Sequence, residues 1–375
     1  MNQSSNVLGH GEFGSIRTTR RKNIVIKTFN KEKNRNKALQ KSILGMKYPD
    51  NISSYVVPLH TNQLIMKRLG ISVKDVPEFV PIQSSFPFTT MKPFLQAIQK
   101  LCKQIMNFSD HSILHRDIHP GNIMIGAIQQ NSIVAPSYPL QEIDLFLIDP
   151  DLLLFVPDLF LADAIFNQYT IPPEWMHILT CNACRAAILT TIFTAPPIMP
   201  TDQYIKNSRT KLGISELDFS TQGGGNDSGY VSSNNILNMD VQNEYVTAND
   251  IIQNRYVTTN GIPTTTGEVH EALQNPSNRE EMVHRLCSTY DEYGLGKSLL
   301  ELFAKLFKNV SSKEWNQHPN EKNLVESCTG IFQAMSHPNI LQRPMLNDIV
   351  RWIGDLSMTI GERRRSKVNT RRRHK

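Results

Sequence analysis

The sequence predicts an α+β protein: a small antiparallel β part carrying one helix, followed by a larger, mainly helical part. Three observations predict it. Residues 8–29 alternate apolar and polar positions around a glycine-rich turn, the pattern of paired strands. Pro93–Phe108 carries Phe94, Leu95, Ile98, Leu101, Cys102, Ile105 and Met106 at spacings of three and four, one face of a long helix. The chain has 375 residues, 39% of them hydrophobic, which is enough for two lobes with cores of their own.

Charge and cysteine content narrow the setting. The net charge is +6, but residues 363–375, RRRSKVNTRRRHK, hold eight of the 40 Lys and Arg, leaving 32 basic against 34 acidic residues elsewhere. This basic tail, 361–375, is expected either to meet a nuclear-import receptor or a polyanion or to be a solvated terminus without a reader. Five irregularly spaced cysteines do not make a disulfide framework, so the expected compartment is intracellular, cytoplasmic or nuclear. The first residues lack a secretory signal. The most apolar segment, 143–166, is interrupted by Asp149, Pro150, Asp151, Pro157, Asp158 and Asp163, so no membrane partner is expected.

In chain order, Gly9, Gly11 and Gly14 form G-x-G-x-x-G with Phe13 at the tip and Ile16 beyond. Strand-type residues follow the glycines where a dinucleotide fingerprint would open a helix, so a β-hairpin is expected. Its glycines would let backbone amides approach phosphates. Lys27 closes the next strand, VIK. A helix-compatible stretch covers 31–47, and residues 56–59 and 63–66 read as a strand pair ending at Met66. Lys67–Gly70 forms a connector, and residues 71–91 are irregular, with Pro77, Pro81 and Pro87. After the long helix comes HRDIHPGNIMI, residues 115–125, and then LFLIDPD, ending at Asp151. An Asp in a tight polar turn, an Asn five residues on, and an apolar run ending in a second Asp suit Mg-nucleotide chemistry, because Mg²⁺ takes a few oxygen ligands alongside phosphates.

Farther along stand IPPEW (171–175), DEYGLGKSLLELF (291–303) and SHPNILQRPMLNDIV (336–350). In this order the motifs resemble those of the protein-kinase superfamily, over roughly 8–176 and 287–355. The resemblance implies a bilobal fold, with residues 1–66 as N-lobe, 67–70 as hinge and 71–360 as C-lobe. It implies an ATP-dependent protein kinase using Mg²⁺ and acting on Ser/Thr of protein substrates. Asp117 would handle the acceptor hydroxyl, Lys27 would grip the α and β phosphates, and Asn122 and Asp149 would hold metal. Gly9, Gly11, Phe13, Gly14 and Ile16 would cover the nucleotide, with Met66, Lys67 and Leu69 around the adenine. It also implies that His115 braces the loop, that Arg116 steadies the activation segment, that Asp291 anchors the loop backbone, and that Glu174 pairs with Arg343.

The departures from the family are specific. Gln40 falls where a Glu would pair with the lysine. Asp149-Pro150-Asp151 replaces DFG, and Asp151 is expected to be a surface acid. Asp117 and Asp149 lie 32 residues apart, as if an extended hairpin separated them. The spelling H-P-G-N, with His119 in place of a lysine, is closer to small-molecule phosphotransferases, which keeps an aminoglycoside- or choline-type acceptor as an alternative. Gln40 and the altered DFG keep a pseudokinase scaffold as another. The degenerate motifs resemble in style those of divergent kinases of large DNA viruses.

Two further stretches stand outside the resemblance. Residues 200–280 are rich in Gly, Asn, Ser and Thr and are expected to be a mostly disordered insertion. Cys181 and Cys184, with His177 nearby, suggest zinc at first sight. No second CxxC follows, so buried helix cysteines without structural zinc are expected.

Overall fold

The computed structural model describes residues 7–11, 14–19, 21, 24–46, 56–76, 91–129, 132–134, 143–149, 152–161, 164–193, 199–214, 245–247 and 265–358. Near the N-terminus lies an antiparallel sheet of five strands, β1 (Val7–Gly11), β2 (Gly14–Thr18), β3 (Ile24–Phe29), β4 (Val56–Pro58) and β5 (Gln63–Lys67), in the order β1-β2-β3-β5-β4. Helix α1 (Glu32–Met46) packs on one face. Strand alternation decides what each face buries. Val25, Phe29, Leu64, Met66 and Val56 meet Ala38, Leu39 and Ile43 of α1, while Ile24, Val57 and Ile65 point the other way.

Gly70, at φ +39°, leads from this sheet into β6 (Ile71–Ser72). A Cβ there would collide with the Ile125 carbonyl, so only glycine fits. Next come α2 (Met91–Ser109) and β7 (Ile113–Leu114), then β8 (Ile123–Gln129), β9 (Ser132–Val134) and β10 (Ile143–Leu147). Strand β8 pairs with β6, β9 and β10, all antiparallel. The strand pair expected between Asp117 and Asp149 is present as β8 and β10. Helix α2 buries Phe94, Leu95, Ile98, Leu101, Cys102, Ile105 and Phe108, while Met106 is half-buried.

The chain continues through β11 (Leu154–Phe155), paired with β7, and β12 (Ile165–Asn167). Helices α3 (Pro173–Thr180) and α4 (Asn182–Leu189) follow, then α5 (Thr201–Leu212) and the short β13 (Tyr245–Thr247), which pairs with β12. The C-terminal part is α6 (Thr265–Gln274), α7 (Pro276–Phe307), α8 (Ser312–Gln317), α9 (Pro319–Met335) and α10 (346–358). Helix α7 is capped by the Asn275 side chain, which accepts from Ser277 N, and it runs through the middle of this part. Its Leu295, Leu299, Leu302 and Phe303 meet Ile98, Ile118, Leu145 and Phe332 in the largest core cluster, where Phe303 and Phe332 stack edge-on at 4.9 Å between centroids. Gly294 lets α7 lie directly on the loop before β8: an added Cβ would sit 2.5 Å from the Ile118 carbonyl. The protein is thus mixed α+β, with a small antiparallel sheet near the N-terminus and a larger, mostly helical C-terminal part.

The expectation of a mostly disordered stretch over 200–280 is corrected at both ends. Helix α5 occupies 201–212, and residues from 265 onward are helical. Helix α5 also returns to the N-terminal sheet. Tyr204, fully buried, joins the cluster beneath α1, and its hydroxyl accepts from Val56 N at 3.4 Å. Leu212 and Ile214 pack against Ile24, Val57 and Ile65 on the opposite face. Edge strand β4 is covered in this way, and an open ladder edge is what exposed sheets must avoid. Residues 215–244 and 248–264 of the insertion, the tail 361–375, Phe13, Pro77, Pro81, Pro87, Pro150 and Asp151 lie outside the described residues. Among the described residues, no helix is long and apolar enough to cross a membrane.

Candidate functional site

Four of the expected residues, Lys27, Asp117, Asn122 and Asp149, are linked by contacts that join strand β3 to the segment 115–149. Lys27 lies on β3 between Val25 and Phe29, on the face toward α1, and is only 8% exposed. Its Nζ is 2.7 Å from Asp149 Oδ1, across 122 residues of sequence, and sits 5.0 Å from the centre of the Phe29 ring. Asp149 follows β10 with φ 58°, a left-handed conformation that costs a non-glycine residue about 1–3 kcal/mol and tends to occur at functional sites. Gln40, by contrast, is exposed on α1. Glu32 pairs with Arg35 at 3.7 Å on the outside of the same helix.

The loop 115–122 is fastened from three sides. Asp291 of α7 accepts from His115 N at 2.6 Å and Arg116 N at 2.8 Å. Burial raises the Asp291 carboxyl to about 6, against the pull of those two amides. Arg116, at φ 68°, is buried and donates through Nε to Leu152 O at 2.8 Å and through Nη1 to Ile165 O at 2.5 Å, with Phe166 beneath its guanidinium. It therefore ties the loop to the segment after Asp149. His115 Nε2 lies 3.1 Å from Ile148 O, and Ile148 N donates to Asn122 O at 2.9 Å, so the loop and the end of β10 share one set of backbone bonds. Burial lowers the His115 ring to about 4.

Within this frame the Asp117 carboxylate is held at both oxygens. Asn122 Nδ2 donates to Oδ2 at 2.8 Å and to the Asp117 carbonyl at 3.0 Å. Asn167 Nδ2 donates to Oδ1 at 2.6 Å. His119 is lowered to about 4 by burial, so it is neutral at pH 7, and its 3.8 Å approach to Asp117 Oδ1 is a dipolar contact with no ion pair in it. Its Nδ1 accepts from Gly121 N at 3.1 Å, which leaves the ring proton on Nε2, the nitrogen facing Asp117. Asn167 has no forerunner in the sequence reading. The only local signal is a lone amide at the end of an apolar run, here fully buried and tied through Thr170 to the Arg116 carbonyl.

Gly9, Gly11 and Gly14 lie in the β1–β2 hairpin, where Gly11 pairs with Gly14 and Gly9 with Ile16, which in turn pairs with Lys27. The hairpin excludes the strand-to-helix geometry of a dinucleotide fingerprint. Met66 is buried in the sheet core. Lys67 ends β5, and Leu69 packs on Phe146 beside Met124 and Ile148. Glu174 and Arg343 form a buried bidentate pair at 2.7 and 2.8 Å.

The donor chemistry fits a hard cation. The Asp149 carboxylate is about one-third exposed, and Asn122, whose nitrogen is engaged by Asp117, offers its amide oxygen. A separate group forms elsewhere. His177, Cys181, Cys184 and His270 bring their ligand atoms within 4.8 Å of one another. The expectation of buried helix cysteines holds for Cys184, buried in α4, and is corrected for Cys181, which sits between α3 and α4 as a cap; His270 arrives from α6. The fourth donor comes not from a second CxxC but from a histidine 86 residues after Cys184. No family model matches this chain, and none of the curated proteins compared with it matches either.

Proposed function

We propose that the chain is a divergent member of the protein-kinase superfamily with a bilobal fold, transferring the γ-phosphoryl group of ATP to Ser or Thr hydroxyls of proteins. The observation that carries this reading is the 2.7 Å approach of Lys27 to Asp149, drawn from a sheet strand and the end of a distant β-pair, with Asp117 and Asn122 fastened beside them. Lys27 is nearly buried and its partner is anionic, so an entering triphosphate gives the ammonium further oxygens to hold. Magnesium bound by Asn122 and Asp149 would neutralise phosphate charge.

Asp117 supplies the acceptor for the hydroxyl proton. Asn122 and Asn167 fix its two oxygens, so one carboxylate geometry is presented and little reorganisation is needed at the moment of transfer. The hydroxyl oxygen forms the new bond to the γ phosphorus, the bond to the β–γ bridging oxygen breaks, ADP leaves, and the proton goes to Asp117. His119 stands where a lysine would carry a fixed charge. As a neutral donor it orients oxygens near Asp117 without adding to the field. The H-P-G-N spelling favours one alternative, a small-molecule acceptor.

The test is transfer from γ-labelled ATP to generic acceptor proteins and to the chain itself, comparing the parent with Lys27→Ala and Asp117→Ala. Loss of about 10²-fold or more is expected in each variant, the scale of removing a general base or a phosphate ligand. Label appearing only on small alcohols would overturn the protein-acceptor reading. A parent that neither binds Mg-ATP nor exceeds Asp117→Ala would overturn the enzyme.

A further inference from the structure

The His177, Cys181, Cys184 and His270 cluster plays no part in phosphoryl transfer as described above. Three helices build it. His177 lies in the last turn of α3, Cys181 stands between α3 and α4 and caps α4, Cys184 is in the first turn of α4, and His270 is on α6. Spacings of four and three residues bring the first three donors to one point of the α3–α4 corner. His270 is aimed there because Val269 and Leu273 seat α6 in the same apolar cluster as Cys184, Ala187 and Ile188.

We propose that these four side chains form a closed structural zinc site, with two thiolates and two imidazoles as its complete ligand set. Four-coordinate zinc with Zn–S of about 2.3 Å and Zn–N of about 2.0–2.1 Å sets sulfur and nitrogen ligands about 3.5 Å apart along a tetrahedral edge. His270 Nδ1 is 3.3 Å from Cys184 Sγ and 3.6 Å from Cys181 Sγ. All the ligand atoms fall within 4.8 Å of one another, which leaves room for one ion and no second shell between them.

The surroundings suit thiolate. Cys184 N donates to Cys181 Sγ at 3.1 Å, and Cys181 stands at the N-terminus of α4, where the helix dipole favours negative charge. The two sulfurs also lie in contact as a disulfide pair. A disulfide uses the sulfurs alone, however, and gives no reason for two imidazoles from different helices to converge on them. Reduction frees both sulfurs for the ion. With four protein ligands the site has no open position for substrate, so its role is to clip α6 to the α3–α4 corner. Residues 185–269 lie between the clipped points, and closing so long a loop is where a cross-link has most to contribute.

The experiment uses the full chain purified under reducing conditions, with zinc measured per chain and Co²⁺ as the optical probe. The parent is expected to hold about one zinc per chain and, with Co²⁺, to show tetrahedral ligand-field bands and thiolate charge transfer. His270→Ala and Cys184→Ser are each expected to fall below about one-tenth of that content, whereas His270→Cys, a Cys₃His set, keeps the ion and strengthens the charge-transfer band. A reduced parent that holds neither zinc nor Co²⁺ would overturn the proposal. So would zinc content unchanged in His270→Ala, or a Cys181–Cys184 disulfide that persists through reduction. None of these readouts depends on phosphoryl transfer.

Discussion

Glu174→Gln is expected to destabilise the protein by about 3 kcal/mol, the lower end of the range for breaking one side of a buried ion pair. The Arg343 side chain is 0% exposed and that of Glu174 4%, with two parallel bonds of 2.7 and 2.8 Å between them. Glutamine keeps one acceptor and turns an amide donor toward the second guanidinium nitrogen, so a buried cation loses both a bond and its counter-charge. Arg343 retains the His337 carbonyl at 2.7 Å and the Tyr293 ring at 4.9 Å, but neither carries charge. The low end of the range applies because of Glu292. Both of its carboxyl oxygens are buried without a hydrogen-bond partner, and burial holds it well above the usual carboxylate range while Arg343 and Arg285 pull it back. Once Glu174 is neutral, Glu292 can ionise beside Arg343 and restore part of the lost attraction. Adding Glu292→Gln removes that recovery, so the double variant should exceed the sum of the singles by about 1 kcal/mol or more. Urea unfolding followed by circular dichroism measures this, read from midpoints at constant slope. A single-variant loss under about 1 kcal/mol would put the pair in the class of exposed bridges and refute the reasoning.

Asn167→Ala removes the donor to Asp117 Oδ1 and the acceptor for Tyr169 N, and is expected to lower the phosphotransfer rate constant by about tenfold or more with little change in the KM for ATP, checked by steady-state kinetics. Tyr204→Ala empties a fully buried site between α5 and the sheet, at an expected cost of about 3–5 kcal/mol by analogy with other large aromatic truncations, and exposes edge strand β4. Thermal unfolding and light scattering would register the lower midpoint and the added self-association. Tyr204→Phe, which keeps the ring and loses the long 3.4 Å bond to Val56 N, should cost less than about 1.5 kcal/mol. Acidification from pH 6.5 to 4 sets buried groups against one another. Burial lowers His115 and His119 to about 4, so in that window the unfolded chain binds two protons that the folded chain lacks. Asp291, raised to about 6, acts in the opposite sense, because there the folded chain holds the extra proton. Glu292, which burial also raises, acts in the same sense as Asp291. Each histidine is worth about 3 kcal/mol over the window, so the change in stability from pH 6.5 to 4 should favour the folded chain by about 3 kcal/mol more in His119→Gln than in the parent, read from urea titrations at the two pH values.

What could be read from the sequence was what is encoded within a segment. The alternation of Ile24–Phe29, the seven-residue face of α2 and the glycine hairpin are periodic patterns that survive packing. Glu174 with Arg343, and Asp291 with the loop amides, were accessible because ordered motifs brought both partners to attention. Helix α5 was not. Its TDQYIKNSRTKL is largely polar, and Tyr204, Ile205 and Leu212 gain their meaning only against a sheet laid down some 140 residues earlier. His270 was missed for the same reason, since nothing near it in sequence suggests cysteines. Gln40 shows the reverse: the family pattern set it where a partner for Lys27 would stand, but its side chain faces water while Lys27 pairs with Asp149.

The dependence of the N-terminal sheet on α5 has a consequence for biosynthesis. The first 67 residues leave the ribosome with the face of Ile24, Val57 and Ile65 in place but without Leu212 and Ile214 to lie against it. Closure of that half must wait until translation has passed residue 214, by which time α2 and β7–β12 are already available. The nascent chain therefore completes its beginning after its middle, and a stalled product ending before residue 200 would present a raw sheet margin to chaperones.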